Sequence, residues 1–151
     1  MKKGIILISV LIASLTMTAQ QLRVNQVDDF TGSTKKYTKF YNLAKTNVGY
    51  IKVSVMRVDD YIAIEVYSTS DLGCAGASGN YIMFLYEDGT SVKLDVDHRK
   101  INCKDNAPSL YLIKDLNTNG IAKIRLRQSE YYTDGVAYGS YSLSKLVNAV
   151  Q

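Results

Sequence analysis

Apolar and polar residues alternate through two segments near the middle of the chain, and each segment predicts a β-hairpin. In residues 48–67 the alternation is interrupted at Asp59-Asp60, which predicts a two-residue loop there. Pairing the strands around that loop gives one mostly apolar face and one polar face, as expected of a sheet with one side in water. The first face pairs Val53 with Val66, Val55 with Ile64 and Arg57 with Ile62; the second pairs Lys52 with Tyr67 and Ser54 with Glu65.

The second hairpin is predicted over residues 81–97, with Asp88-Gly89 as its loop. Asp-Gly is a strong hairpin signal because both central residues of a type I′ turn need a positive φ. Residues 81–86 are apolar on both faces, which predicts an interior strand covered on both sides. On this pairing one face carries Tyr81, Met83, Leu85, Val92, Leu94 and Val96, and the other sets Ile82, Phe84 and Tyr86 against Asp95, Lys93 and Ser91.

Shorter patterns predict further strands on either side of the hairpins. Residues 22–43 predict strands broken at Asp28-Asp29 and Gly32-Ser33, and residues 109–113 predict a short strand. Residues 114–119 predict one helical turn that ends at Gly120. Residues 121–128 alternate again, with one set of side chains directed inward: Ala122, Ile124 and Leu126.

The end of the chain predicts an amphipathic helix that closes a face or an edge of the sheet. Its apolar residues follow helical spacing at Leu143, Leu146, Val147 and Val150, with Ser140 or Ser142 as the cap. The predicted fold is therefore mainly β and borders on α+β. It is an antiparallel sheet or sandwich built from hairpins, with one C-terminal amphipathic helix.

Residues 1–19 carry the features of a secretory signal peptide. Lys2 and Lys3 precede an almost wholly apolar run from Ile5 to Thr18, which is too short for a bilayer span of about 20 residues. We expect cleavage after Ala19, although Met17 stands where a small residue is usual. The remaining residues 20–151 are long enough for one domain with a core. This predicts export to the periplasm or the outside of the cell.

Charge narrows the class of partner. Without Lys2 and Lys3, 16 basic residues stand against 14 acidic ones, and the net charge falls from +4 to +2. Nucleic-acid binders usually carry a larger basic excess on one face, so we expect no nucleic-acid partner. Residues 20–151 contain no apolar segment long enough to span a bilayer, and no cysteine lies at the signal boundary. We therefore expect a soluble protein with no transmembrane segment.

The two cysteines predict a disulfide. Cys74 and Cys103 lie at equal distances before and after the predicted Asp88-Gly89 loop, so continued pairing would bring them together. Exported proteins meet oxidising conditions, in which an isolated pair of cysteines most simply forms a disulfide. Closing this loop would stabilise the fold by about 3–4 kcal/mol.

Tyrosines and basic residues form the candidate binding surfaces. The chain has 12 tyrosines and no tryptophan, and tyrosine suits both half-buried strand positions and recognition surfaces. Basic rows also occur as solvated faces or as guards against edge-to-edge pairing, and that alternative stays open. The candidate binding residues are Tyr37, Lys39 and Tyr41, then Lys123, Arg125 and Arg127, then Tyr131 and Tyr132.

Signals for catalysis are sparse. Asp95, Asp97 and the single histidine, His98, are the only clustered polar candidates, and two of them could simply lie on the wet face of a strand. A calcium loop needs six or more oxygen ligands, which this segment does not supply. The glycine-rich segment 73–79 is followed by a predicted strand, whereas a phosphate loop is followed by a helix. We expect no metal site and no cofactor.

Three motifs resemble small exported proteins of unknown function from Bacteroidota-type bacteria. These are the Lys-Lys signal with its Ala-Gln boundary, the hairpin Tyr86-Glu87-Asp88-Gly89-Thr90, and the strand Ile124-Arg125-Leu126 followed by Tyr131-Tyr132-Thr133-Asp134. The resemblance covers roughly residues 48–150. It implies a Gram-negative exported setting and a β-rich fold with a closing helix, and it carries no catalytic residues to transfer.

These observations favour a non-enzymatic, disulfide-stabilised binding or structural module with an unknown protein or glycan partner. One alternative is a small secreted hydrolase of polysaccharide or peptide, with Asp95, Asp97 and His98 as its candidates. Another is an inhibitor or immunity-type protein that binds an exported enzyme.

Overall fold

The computed structural model describes residues 22–73, 79–96, 108–138 and 143–151. Within these ranges the chain forms strands and one short helix near its C-terminus, which confirms the mainly β, antiparallel fold class. The elements are β1 (Leu22–Val27), β2 (Thr34–Thr38), β3 (Tyr41–Thr46), β4 (Gly49–Val58), β5 (Tyr61–Ser68), β6 (Tyr81–Tyr86), β7 (Ser91–Asp95), β8 (Ser109–Leu112), β9 (Ile121–Gln128), β10 (Tyr131–Ala137) and α1 (Leu143–Val150).

The ten described strands belong to one antiparallel sheet, in which β10 joins two groups of strands. One group is β3, β4, β5 and β8, with β1 and β2 branching from β4, and the other is β9, β6 and β7. The long strand β4 pairs with β5 along one edge, and with β3 and then β2 along the other. The two ends of the sheet, β7 and β8, contact each other. The sheet therefore curls around its core.

The core lies on the concave side of this curled sheet and includes the inward side chains of both groups of strands. Val53, Val55, Ile64 and Val66 are fully buried, and Tyr111 joins them from β8. Burial raises the pKa of the Tyr111 hydroxyl to about 12, so it stays protonated at neutral pH. Each fully buried apolar side chain of this size contributes about 1.5–3 kcal/mol.

Helix α1 packs against β4 and β2 through one face. The four residues with helical spacing are all buried, so the predicted helix and its apolar face are confirmed; Ser140 and Ser142 lie outside the described residues. Among the described residues, no helix has the length and apolar character needed to cross a membrane. The buried residues of α1 are Leu143, Leu146, Val147, Ala149 and Val150.

The first predicted hairpin is confirmed as β4 and β5. Every expected pair is present, including Val53 with Val66 and Lys52 with Tyr67. Asp59 begins the two-residue loop with a positive φ of 52°. Its carboxylate accepts hydrogen bonds from the backbone N–H of Thr34 at 3.0 Å and from the Ser33 hydroxyl at 3.1 Å. These bonds attach the loop to the start of β2.

The second predicted hairpin exists as β6 and β7, but its pairing differs by one residue. Phe84 pairs with Val92 rather than Lys93, because the loop has three residues instead of two. The N–H of Tyr86 donates to the Thr90 carbonyl at 2.9 Å, and only Gly89 within the loop has a positive φ. The Asp88 carboxylate accepts the Thr90 N–H and hydroxyl, which holds this three-residue form.

The changed register alters which residues of β7 share a face with those of β6. Ile82, Phe84 and Tyr86 are buried, whereas Leu85 is exposed. The expectation that Tyr81, Met83 and Leu85 share a face with Val92, Leu94 and Val96 is therefore wrong. Strand β6 is interior, since it lies between β9 and β7, but only one of its sides is fully covered.

Other predicted segments are confirmed, with one exception. The breaks at Asp28-Asp29 and Gly32-Ser33 separate β1 from β2, and residues 121–128 form β9 with Ile124 and Leu126 buried. Residues 114–119 form turns and bends rather than a helical turn. The Asn117 side chain accepts the Asn119 N–H at 3.1 Å, a local bond that competes with helix formation.

Candidate ligand-binding face

Four neighbouring strands, β10, β9, β6 and β7, present a continuous face on the side of the sheet away from the core. Side chains alternate along a strand, so residues paired in register share one side. We call this side the outer face, and its residues form three rows across the strands. The rows are Tyr132, Arg127, Tyr81 and Asp95; Asp134, Arg125, Met83 and Lys93; and Val136, Lys123, Leu85 and Ser91.

The first row is built around the ring of Tyr81. The Arg127 guanidinium carbon lies 6.0 Å from the centre of that ring, and the Lys93 ammonium from the next row lies 4.9 Å from it. Lys93 also forms an ion pair with Asp95 at 2.8 Å. Arg127 donates to the Ser129 carbonyl at 3.4 Å. Both cations near Tyr81 therefore have partners within the protein.

The second row contains a two-point ion pair between Arg125 and Asp134. The guanidinium Nε and Nη2 donate to the two carboxylate oxygens at 2.6 and 2.7 Å. These hydrogen bonds hold the pKa of Asp134 below its usual range and raise that of Arg125. Arg125 also lies over the Tyr132 ring, 4.8 Å from its centre. Its guanidinium is therefore already engaged on two sides.

The third row forms the bottom of an open groove of about 440 Å³. Val136 pairs with Lys123 on one side and with Lys45 of β3 on the other, so the row extends beyond the four strands. Neither lysine makes a hydrogen bond or an ion pair with the part of the chain that the structure describes. The groove is lined by Lys45, Asn47, Met83, Leu85, Ser91, Lys123, Ile124, Arg125, Asp134, Gly135 and Val136.

Gly135 allows β10 to approach β3 closely at the groove. A Cβ at this position would lie 2.8 Å from the Ala44 Cβ and 3.0 Å from the Lys45 carbonyl oxygen. Only three residue pairs join these strands, from Gly135 with Thr46 to Ala137 with Ala44. The short junction places Lys45 beside Val136, so the backbone contact at Gly135 builds one wall of the groove.

A second group of cations and aromatic rings lies at β1 and β2. The Arg23 guanidinium carbon lies 5.5 Å from the Tyr37 ring centre and 5.2 Å from that of Phe40, and its Nη2 donates to Glu65 at 2.8 Å. Phe40 meets the Tyr67 ring edge-on at 5.2 Å. We call Arg23, Tyr37, Phe40, Glu65 and Tyr67 the amino-terminal cluster. Its cation and its rings bind each other.

The structure separates the first three candidate binding residues. Tyr37 is half-buried beneath Arg23, and Tyr41 packs against the core. Lys39 is exposed on the short connection between β2 and β3. These residues therefore do not form one surface patch.

Most of the other candidate binding residues lie on one surface. Lys123, Arg125, Arg127 and Tyr132 share the outer face, as the alternation of β9 predicts. Tyr131 is also exposed, but it alternates with Tyr132 and lies on the opposite side of β10. The predicted basic row is thus real, and the charge of one member, Arg125, is already balanced by Asp134.

Several groove residues were not anticipated from the sequence. Lys45 comes from β3, which pairs with β10 far along the chain, and no local pattern indicates that pairing. Met83 and Leu85 were assigned to a different partner set because the hairpin register was displaced by one residue. Val136 follows Gly135 in a strand, and glycine inside a strand often marks a close backbone approach. That glycine was the available signal.

Two of the three candidate catalytic residues lie outside the described residues. Asp95 is exposed on β7 and paired with Lys93, while Asp97 and His98 lie outside the described residues. Among the described residues, no group of three histidine, cysteine, aspartate or glutamate side chains is placed to hold a metal ion. Cys74 and Cys103 also lie outside the described residues. The disulfide stays a prediction, without the numerical symmetry that the shifted register removes.

Comparison with known proteins adds no family to this picture. No protein-family model, curated protein or solved structure matches the chain. The fold and the face therefore define the class by themselves. It is a mainly β protein with one ten-stranded described sheet and a cationic groove across the outer face of that sheet.

Proposed function

We propose that this protein is an exported binding module whose ligand lies in the outer-face groove. The observation that carries the proposal is the contrast between its cations. Arg125 and Lys93 form ion pairs with Asp134 and Asp95, whereas Lys45 and Lys123 form none with the described residues; the Lys123 charge acts on Asp134 only as a minor contribution to its lowered pKa. A ligand that brings negative charge would supply the missing partner.

The position of the lysines speaks against a purely protective role. Basic residues on edge strands prevent pairing between sheets. Strands β9 and β10 are interior, since each has a neighbour on both sides. The cations on these strands therefore lie at no open edge, so prevention of pairing between sheets does not explain them.

The apolar part of the groove supports binding as well. Val136 is 63% exposed and lies between the two lysines, with Leu85 in the same row. Ligand pockets commonly combine an apolar lining with a few placed polar groups, and their volumes span about 300–1,000 Å³. The groove has this composition and size.

Binding fits the groove better than hydrolysis. Its described lining contains one carboxylate, Asp134, which Arg125 holds ionised by lowering its pKa. Glycoside hydrolysis ordinarily uses two carboxyl groups, one of which must carry a proton. No histidine or cysteine is among the described residues that line the groove.

The export part of the proposal rests on residues 1–19, which lie outside the described residues. Intact mass of the protein recovered from a Gram-negative host tests it, with and without reduction and alkylation. A mass equal to that of residues 20–151 would support export. A gain of alkyl groups only after reduction would support the Cys74–Cys103 disulfide. A mass equal to that of the uncleaved chain, starting at Met1, would contradict export.

An array of neutral glycans, acidic glycans and peptides of both charges tests the binding function. We expect at least one class to bind the protein, and Lys123→Glu to abolish that binding. Lys39→Glu makes the same charge change at an exposed site away from the groove, so it serves as the matched control. Failure of every array feature, or binding that Lys123→Glu leaves intact, would overturn the proposal.

A further inference from the structure

We infer that the groove holds a segment of polyanionic polysaccharide, with its acidic groups on Lys45 and Lys123. This inference rests on the binding function proposed above and adds the chemical class of the ligand. Three features support it: the spacing of the two lysines, the composition of the groove, and the direction in which the groove runs.

The spacing of the lysines matches charges that repeat along a sugar chain. Lys45 and Lys123 each pair with Val136 from opposite sides, so their Cα atoms are two strand spacings apart, about 10 Å. That distance is close to the length of one disaccharide. In an extended peptide, successive side chains on one face are about 7 Å apart. The lysines therefore suit a polysaccharide with acidic groups on alternate sugars.

The composition of the groove suits sugar rings. A sugar presents an apolar ring face bordered by hydroxyl groups that both donate and accept hydrogen bonds. Val136, Leu85 and Met83 supply apolar surface in the groove lining, while Asn47 and Ser91 offer hydrogen-bonding groups of both kinds. The groove can thus contact both parts of a sugar.

The direction of the groove disfavours a peptide. Its main row crosses five adjacent strands, from Lys45 on β3 to Ser91 on β7, a span of about 19 Å. A bound peptide commonly gains affinity by adding a strand to an open sheet edge. Strands β9 and β6 are paired along both edges, and β10 is paired on both edges at residues 135–137, where the groove runs over the strand faces. A peptide lying there would leave its backbone groups without ladder partners.

The test is calorimetric titration of the exported protein with defined oligosaccharides. The first probe is a hyaluronan tetrasaccharide, which carries a uronic acid on alternate sugars. The second is its methyl ester, which keeps the sugars and removes the charges. We expect the acid form to bind and esterification to weaken binding at least about tenfold, the effect of losing one charge-assisted contact. A sulfated oligosaccharide of equal length shows whether the lysines prefer carboxylate or sulfate.

Matched variants locate the binding. We expect Lys45→Gln and Lys123→Gln each to weaken binding by about tenfold. Lys93→Gln removes a cation of the same face that is already paired with Asp95, so it should leave affinity within about twofold. Because all three side chains are exposed, thermal unfolding of the variants should match that of the parent.

Other outcomes separate this inference from the binding function itself. Tighter binding of hexaglutamate than of any acidic sugar would overturn the ligand class and leave the binding function intact. Equal binding of the acid and the ester would overturn the role of charge. If no oligosaccharide binds, while a ligand on the array still binds and requires Lys123, the polysaccharide inference is wrong and the binding function stands. If every array feature fails as well, both proposals fall.

Discussion

The amino-terminal cluster and the outer-face groove both contain basic residues, yet they differ in their other side chains and in how their charges are balanced. In the cluster, Arg23 lies against two rings and is paired with Glu65, so its binding capacity is used within the fold. In the groove, Lys45 and Lys123 have an exposed valine between them and no described ion partner. Basic residues on a sheet therefore indicate a binding surface only where neighbouring strands do not supply an ion-pair partner.

The largest expected effect concerns the junction that builds the groove. Gly135→Val places a side chain where even a Cβ would lie 2.8 Å from the Ala44 Cβ, so β10 must move away from β3. We expect a loss of about 1–3 kcal/mol in the free energy of unfolding, measured in urea. Val136→Ala, at the exposed neighbouring position, should change it by less than about 0.5 kcal/mol. Equal stability of the two variants would show that the close approach is unimportant.

The next effect tests whether the amino-terminal cluster is structural. Arg23→Ala removes two ring contacts and one ion pair, and we expect it to cost about 1–2 kcal/mol. Urea unfolding of Arg23→Ala, Glu65→Gln and the double variant measures the coupling between the two side chains. Lys39→Ala is the control, with no expected loss. Additive effects of the two single changes would contradict a direct coupling.

A smaller effect on stability is expected from the ion pair between Arg125 and Asp134, which the groove lysines lack. Because Arg125 holds the pKa of Asp134 below 3.8, the pair stabilises the folded state above that pH. This stabilisation is lost as the pH falls through the lowered pKa. Asp134→Asn should therefore cost less than about 1 kcal/mol near neutral pH, and the difference from the parent should shrink in acid. In an Arg125→Gln background the same change should show a much smaller pH dependence, since only the weaker effect of Lys123 on the Asp134 pKa remains.

The smallest effect is expected from the groove lysines themselves. Lys45→Gln and Lys123→Gln should change the free energy of unfolding by no more than about 0.5 kcal/mol, since neither has an ion partner among the described residues. Thermal unfolding of these variants beside Arg23→Ala measures the contrast directly. A loss above 1 kcal/mol would mean that a groove lysine supports the fold, and the comparison would fail.

Local pattern was enough to predict the elements that depend on neighbouring residues. The β4–β5 hairpin is correct pair by pair because each strand has one apolar face and the loop is only Asp59-Asp60. The alternation of β9 correctly placed its basic residues outward for the same reason. In these segments the hydrophobic pattern and the turn chemistry agree.

Prediction failed where one local interaction or a distant strand decided the outcome. The Asp88 carboxylate favours a three-residue loop, and these hydrogen bonds pair Tyr81, Met83 and Leu85 with polar residues of β7 instead of the expected apolar ones. The groove was missed because it needs β10 beside β3, a pairing that leaves no periodic signal in the chain. The basic residues of β9 were therefore predicted, but Lys45 and the groove between it and Lys123 were not.

The short junction between β10 and β3 also bears on the order of folding. It joins residues roughly 90 positions apart, whereas β4–β5, β6–β7 and β9–β10 are hairpins closed by short loops. Closing the longest loop costs the most chain entropy, so we expect this pairing to form after the hairpins. Pulsed hydrogen exchange would then protect the β10–β3 amides last. On that order a newly made chain would hold most of its secondary structure before it could hold a ligand.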